Sequence, residues 1–233
     1  MSIILRPAES RGHADHGWLD THHSFSFADY YDPKHLGYRS LRVINDDRIH
    51  GGGGFLTHGH RDMEIITYVV EGAVAHRDTT GASGVVARGD VQVMTAGSGI
   101  RHSEFNDSAA EDLRLLQIWI VPDAPGLTPS YGQARFDDAS KRDVLRLVAS
   151  PDGEAGALPI HQDVRLYASL LSEGASLMHP LGTGRGAWIQ MVSGEIDVGG
   201  MQLRAGDGAA IEKLDRLTIK ASSESEFLLF DLA

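Results

Sequence analysis

Two short pairs, His58-Gly59-His60 and His102-Ser103-Glu104, hold the residue types in this chain best suited to chemistry. In each pair the donor residues stand two apart, and on an extended strand such residues point to the same face. Two strands that each carry one pair can aim three imidazoles and a carboxylate into one space. That donor set suits a divalent metal with open positions for O2 or a chelating substrate. A lone HxH says little, because histidines at this spacing are common on surfaces. The second pair shifts the balance to a metal site, since glycines and β-forming runs frame both.

Those framing runs are the elements that must position the pairs. Ile65-Ile66-Thr67-Tyr68-Val69-Val70 follows the first pair and Val91-Gln92-Val93-Met94 precedes the second. Both are rich in β-branched residues and read as strands. Glu71-Gly72, Gly81, Gly84 and Gly89-Asp90 read as the turns between them. Downstream, Leu113 to Val121 reads as a core strand, and upstream Ser2 to Arg6 and Leu41 to Ile44 read as short strands. Gly12 to Asp20 reads as a loop and Asn45-Asp46-Asp47 as a turn. His13, His16, His22, His23 and His35 read as loop or supporting residues, none beside a second ligand in a strand frame. His76, on the strand after Gly72, reads as exposed or packed.

The bulk composition sets limits on the rest. The 233 residues allow one large domain or two small ones, 42% hydrophobic content is ample for a core, and 27 glycines suit a turn-rich β protein. There is no cysteine, so any metal must be held by nitrogen and oxygen. With 32 acidic and 21 basic residues the formal charge is −11. Nucleic-acid affinity rests on neutralising phosphates, so direct nucleic-acid binding is not expected. The N-terminal apolar run is too short for a signal peptide and no stretch approaches a membrane span, which leads us to expect a cytoplasmic protein.

The two blocks around the pairs resemble the two motifs of the cupin superfamily, and more narrowly those of pirins. HGHRDMEIITYVVEG resembles the first pirin motif, and GDVQVMTAGSGIRHSE the second almost letter for letter. Two departures from the general cupin pattern also fit pirins: the longer gap between Glu64 and Gly72, and Thr95 in place of a proline. The upstream segment from His22 to Pro33 and the tail from Glu226 to Asp231 extend the likeness over nearly the whole chain. It is nearest to the bacterial pirin-like proteins described as quercetin 2,3-dioxygenases.

This resemblance implies a cofactor of one divalent ion held by His58, His60, His102 and Glu104. Iron is the first expectation, with nickel, cobalt, manganese, copper or zinc as alternatives. It implies a small aromatic chelating substrate and O2, with flavonols such as quercetin opened to a depside and carbon monoxide. Glu104 would serve as ligand and as general base for the substrate hydroxyl. Glu64 reads as a barrel hydrogen-bonding residue, or else as support for the ligands or a spare ligand. Phe25, Phe27, Phe55, Met63, Met94 and Phe105 are candidates for apolar walls or for plain core. The alternative reading is a metal- or redox-sensing regulatory module with a protein partner.

From Pro122 onward prolines and turn residues mark a crossover, and Asp138 to Asp143 reads as a turn or short helix. Beyond it, Val192-Ser193-Gly194-Glu195-Ile196 with Arg204-Ala205-Gly206-Asp207 echoes Val70-Glu71-Gly72-Ala73-Val74 with Arg88-Gly89-Asp90. Self-similarity of this kind indicates two related barrels. The expected fold is therefore all-β, a bicupin of two jelly-roll-like barrels. Residues 1-130 form the metal-binding barrel, 131-156 the crossover and 157-233 the second barrel. Equivalent positions counted from the repeat glycines are Pro180, Gly182, Ile219 and Ala221, none a ligand, with His179 one position away.

Overall fold

Ile100-Arg101-His102-Ser103-Glu104-Phe105-Asn106 buries every second residue, and the same alternation recurs over Leu19–His23, Glu195–Val198 and Arg216–Ala221. Period-two burial is what one face of a sheet packed on a core requires. The computed structural model describes residues 2–233, almost all of whose regular structure is strand. The crossover contains a single turn of α-helix, α1 (Asp138–Lys141), capped by the Asp137 side chain accepting from the Ser140 N–H. No helix among the described residues is long and apolar enough to cross a membrane.

In chain order the first twelve strands are β1 (Ser2–Arg6), β2 (Gly12–Asp15), β3 (Leu19–His23), β4 (Leu41–Ile49), β5 (Gly54–His60) and β6 (Glu64–Glu71), then β7 (Ala73–Asp78), β8 (Ser83–Ala87), β9 (Asp90–Thr95), β10 (Ile100–Asn106), β11 (Leu113–Ile120) and β12 (Ser130–Arg135). Gly12–Phe136 together with Leu158–Gln162 forms one compact unit. It holds a larger sheet in the order β12-β9-β6-β11-β4-β3-β2 and a smaller one in the order β5-β10-β7-β8. Ile49, Val69, Val74, Val86, Leu113 and Leu115 pack between the two sheets as apolar core.

The second unit repeats this plan. One sheet runs Ser2–Arg6, Gly208–Glu212, Gly186–Ser193, Ser225–Leu232, Val164–Leu171, Arg146–Ser150; the other runs Ser176–Pro180, Arg216–Ala221, Glu195–Val198, Met201–Arg204. Each unit is thus a jelly-roll-like pair of sheets, and the two-cupin, all-β expectation holds. Its interior is filled by Leu171, Ile189, Ile196, Leu203, Leu217, Ile219 and Phe227, all buried.

Three local expectations are corrected. The segment Gly12 to Asp20 is no loop: β2 and β3 form a hairpin that extends the larger sheet beside β4. Asn45-Asp46-Asp47 is not a turn but the middle of β4, paired on both sides. Asx residues favour turns in isolation, but here flanking strands satisfy the backbone, Asn45 and Asp47 face a cavity, and Asp46 on the other face pairs with Arg114. The domain bounds also differ from 1-130, 131-156 and 157-233. β1 pairs Gly208–Glu212 of the second unit just as β12, expected in the crossover, pairs β9 of the first. Each of these strands covers what would otherwise be a bare sheet edge.

Candidate metal centre

On β5, His58 and His60 are partly buried while Gly59 between them faces outward, as strand alternation demands. On β10, His102 and Glu104 are buried at 1% and 2% exposure. The strands are direct antiparallel neighbours with His102 opposite His58, and the register shifts between His102 and Glu104. Such a bulge bends a strand and re-aims its side chains. Close approach here depends on Gly54, where a Cβ would stand 2.6 Å from the Glu104 carbonyl oxygen.

The three imidazoles converge on one point. His60 Nε2 lies 3.0 Å from His102 Nε2, which lies 3.1 Å from His58 Nε2. His58 Nδ1 is 2.8 Å from the Leu56 carbonyl oxygen, which can only accept, so Nδ1 carries the proton and Nε2 presents a lone pair. Burial, with the nearby His58 second, lowers His60 to about 4; burial, then His58 and His60, lowers His102 to about 3. These two rings are therefore neutral at pH 7, with lone pairs rather than protons to offer. Ligand nitrogens about 2.1 Å from a metal at right angles are about 3.0 Å apart, against about 3.4 Å at the tetrahedral angle. The spacing of His102 from each of the other two matches neighbouring corners of an octahedron.

Glu104 sits one step away. Its donor atoms group with those of His76 and His102, all within 4.8 Å, whereas the triple-histidine group is His58, His60 and His102. Its carboxylate is held from the opposite sheet: Gln117 Nε2 donates to Oε2 at 2.9 Å, while Thr67 Oγ1 and Gln92 Nε2 approach Oε1 at 3.4 Å. Burial raises the Glu104 carboxyl above its ordinary value, opposed by His76, Gln92, His58 and Thr67. Gln92, Thr67, Gln117, Asn45 and His23 are consecutive partners across β9, β6, β11, β4 and β3, forming one polar row along the larger sheet.

Above the imidazoles opens a cavity of about 670 Å³. Of the expected wall residues Phe27 and Phe55 line it, as do His58, His60, His102 and Glu104. Phe25, Met63, Met94 and Phe105 do not. Phe105 alternates with Glu104 and faces outward, and Met94 packs with Ile65, Ala96 and Ile100, with Met63 against them. Phe25 is buried outside the lining. Glu64 also stands off the cavity, fully buried, accepting from Thr95 Oγ1 at 3.0 Å and lying 3.5 Å from His161 Nδ1.

The sequence reading missed several lining residues. Trp119 stands edge-on to His60 at 5.0 Å and to Phe27 at 5.4 Å. Trp18, Tyr30, Thr21, His23, Asn45, Asp47 and Gln117 complete much of the wall. Of the remaining histidines, His76 is packed, as one of its two readings had it, and the reading of His13 and His22 changes. His76 is buried directly opposite Glu104, bonded to Asp78 at 2.9 Å and stacked on Tyr131 at 4.7 Å. His13 and His22 are also not isolated: with Asp20 they cluster on the β2–β3 hairpin, His13 Nε2 being 2.9 Å from Asp20 Oδ1. Their pairing follows from strand register, and the loop reading of that segment hid it.

In the second unit, strand pairing corrects the count made along the sequence. His179 lies opposite Leu217, as His58 lies opposite His102, and Ile219 lies opposite Val198, as Glu104 lies opposite His76. Leu217 and Ile219 hold those places rather than Ile219 and Ala221, because the stretch after Gly206 is two residues shorter than that after Gly89. His179 Nε2 is bonded to Asp231 Oδ2 at 2.9 Å, and Arg185 also donates to Asp231.

Comparison with known proteins accords with this geometry. A family model described as Pirin matches residues 5–120, and one described as the quercetinase C-terminal cupin domain matches residues 147–232. The chain is 50% identical to quercetin 2,3-dioxygenase of Escherichia coli K12, covering 99% of this chain and 98% of that one. It is 43% identical to a pirin-like protein of Caulobacter vibrioides, covering 99% and 100%. The crystal structure of YhhW from E. coli superposes with a TM-score of 0.96 at 50% identity, covering 100% of this chain and 98% of that one. The structure described as bacterial pirin YhhW in complex with nickel(II) superposes at 0.95 with 49% identity, covering 99% of each. This chain belongs to the pirin family.

Proposed function

We propose that this protein is a metal-dependent dioxygenase that opens flavonols such as quercetin with O2, giving a depside ester and carbon monoxide. His58, His60, His102 and Glu104 are the proposed ligands of one divalent ion. The observation that carries this reading is the meeting of three imidazole nitrogens at 3.0–3.1 Å beneath an aromatic-walled cavity. The name of the E. coli relative and the nickel(II) complex of bacterial pirin support it. Iron, the expectation from the sequence, and nickel(II) are the two leading ions.

Bound there, the ion would supply a chelation point for adjacent hydroxyl and carbonyl oxygens and a place for O2. The chain's own residues do the rest. Trp119, Phe27 and Phe55 give flat apolar walls that orient an aromatic ring and exclude water. Burial keeps His60 and His102 unprotonated, so they remain donors across the neutral range. Glu104 has its basicity raised by burial while Gln117 fixes one oxygen, leaving it able to accept the substrate hydroxyl proton.

The test is O2-dependent loss of quercetin absorbance by protein stripped and reloaded with single metals, with carbon monoxide trapped from the headspace. Metal-dependent turnover with carbon monoxide, absent in His60→Ala, is the expected result and identifies the ion. Absence of turnover with every ion that binds overturns the dioxygenase reading.

A further inference from the structure

The cavity contains polar groups that metal chelation leaves unused. Thr21 on β3 and Asp47 on β4 are direct cross-strand partners, and both line the cavity. Each is 3% exposed. Thr21 Oγ1 and Asp47 Oδ1 make no hydrogen bond of normal length among the described residues, although the Thr21 hydroxyl is near enough to act on the Asp47 carboxyl. Buried polar atoms are satisfied in the great majority of cases, and a pair of orphans on adjacent strands facing one cavity calls for a partner. The neighbour Asp46 shows the contrast. Strand alternation turns it to the other face, where Arg114 holds it through two bonds of 2.9 and 3.0 Å. Among the described residues no cation pairs with Asp47 or acts on its carboxyl. Burial pushes that carboxyl up to about 7, the Thr21 hydroxyl works the other way, and the charges of Asp46 and Glu104 add to the rise. A carboxyl of this kind offers both a donor and an acceptor to a neutral partner.

We propose that Thr21 and Asp47 form a second anchoring point in the cavity, one that takes a phenolic hydroxyl of the substrate remote from its metal-chelating oxygens. This rests on the flavonol reading above and deepens it. The hydroxyl donates to Asp47 Oδ1 and accepts from the Thr21 hydroxyl, which satisfies both orphans at once. Phe27, Phe55 and Trp119 line the same cavity as this pair and the imidazoles, so the proposed ligand carries a chelating end and a hydroxylated end on one rigid aromatic frame. A site built to bond a hydroxyl discriminates strongly against an analogue without it, because the buried groups are then left unpaired. Thr21 and Asp47 thereby set specificity and are not among the proposed metal ligands.

The test measures anaerobic binding of quercetin and of 3-hydroxyflavone to the nickel(II)-loaded full-length protein, read from the shift in flavonol absorbance. 3-Hydroxyflavone keeps the chelating oxygens and lacks the remote hydroxyls. Wild type is expected to bind quercetin about tenfold or more tightly than 3-hydroxyflavone. Thr21→Val, which keeps the shape of the side chain, and Asp47→Asn are each expected to cut that ratio severalfold with nickel content unchanged. A ratio near one in wild type, or an unaltered ratio in both variants, overturns the anchoring point and assigns the pair to bound water. In that case metal-dependent binding of 3-hydroxyflavone still leaves the flavonol reading standing. Failure of both flavonols to bind protein that holds nickel overturns the reading and the anchoring point together.

Discussion

Gln117 Nε2 donates to Glu104 Oε2 at 2.9 Å, tying the centre of the larger sheet to the carboxylate beside the three imidazoles. A hydrogen bond to a charged group contributes about 1.5–3 kcal/mol. Its loss in Gln117→Leu removes a stabiliser of the ionised carboxylate, so the Glu104 carboxyl, already raised by burial, rises further. Turnover is then expected to fall about tenfold, with the acid limb of its pH profile displaced to higher pH. An acid limb that stays in place would show that this bond does not hold the working carboxylate.

His102 is the hub of the cluster, its Nε2 within 3.1 Å of both other Nε2 atoms. His102→Ala and His58→Ala are expected to reduce bound metal from about one equivalent to below about a tenth, measured by elemental analysis after dialysis. Metal bound only to the native state stabilises it by mass action, so wild type should melt several degrees higher with metal than without. Both variants should lose that increment. Full metal content in either variant would remove the triple-histidine site.

Asp47 links the cavity to stability. Its carboxyl titrates near 7 when folded against 3.8 as the ordinary value. Below about pH 4 the group is protonated in both states and costs nothing. As pH rises toward 7 the unfolded chain ionises while the folded protein does not, so stability declines by about 1.4 kcal/mol per unit, then levels off. The total is on the order of 4 kcal/mol. Asp47→Asn lacks this titration, so its stability relative to wild type should improve steadily between pH 4 and 7 in urea unfolding of the metal-free protein. Parallel pH curves for the two proteins would refute a buried, proton-holding Asp47.

The second unit carries its own buried network of His179, Asp231 and Arg185. Burial raises the Asp231 carboxyl, but bonds from His179 and Arg185 outweigh it and leave the net value lowered. That stabilisation is present above the ordinary carboxylate range and is lost as pH falls through the depressed folded value. Asp231→Ala leaves two donors without their acceptor and is expected to cost about 3 kcal/mol. Metal content should be unchanged, and a drop in metal content without a drop in stability would contradict a purely structural role.

The sequence by itself determined the all-β class, the repeat of two cupin units and the pairing of His58 and His60 with His102 and Glu104. These follow from local rules: period-two burial, glycine turns, and donors two apart on strands. What only the tertiary structure decided lies in the partners of each strand. The sequence reading made Asn45-Asp46-Asp47 a turn, because Asx residues favour turns unless flanking strands hold their backbone. Nothing local in the Gly-, His- and Asp-rich stretch Gly12 to Asp20 announces the hairpin that brings Thr21 and His23 to the cavity. Trp119, Gln117 and Asp47 face the site only because β11 and β4 lie side by side, and no spacing along the chain announces that. The same cause assigned β1 to the second unit. A residue's face follows from its own strand, but its neighbours are fixed by pairings formed across long stretches of chain.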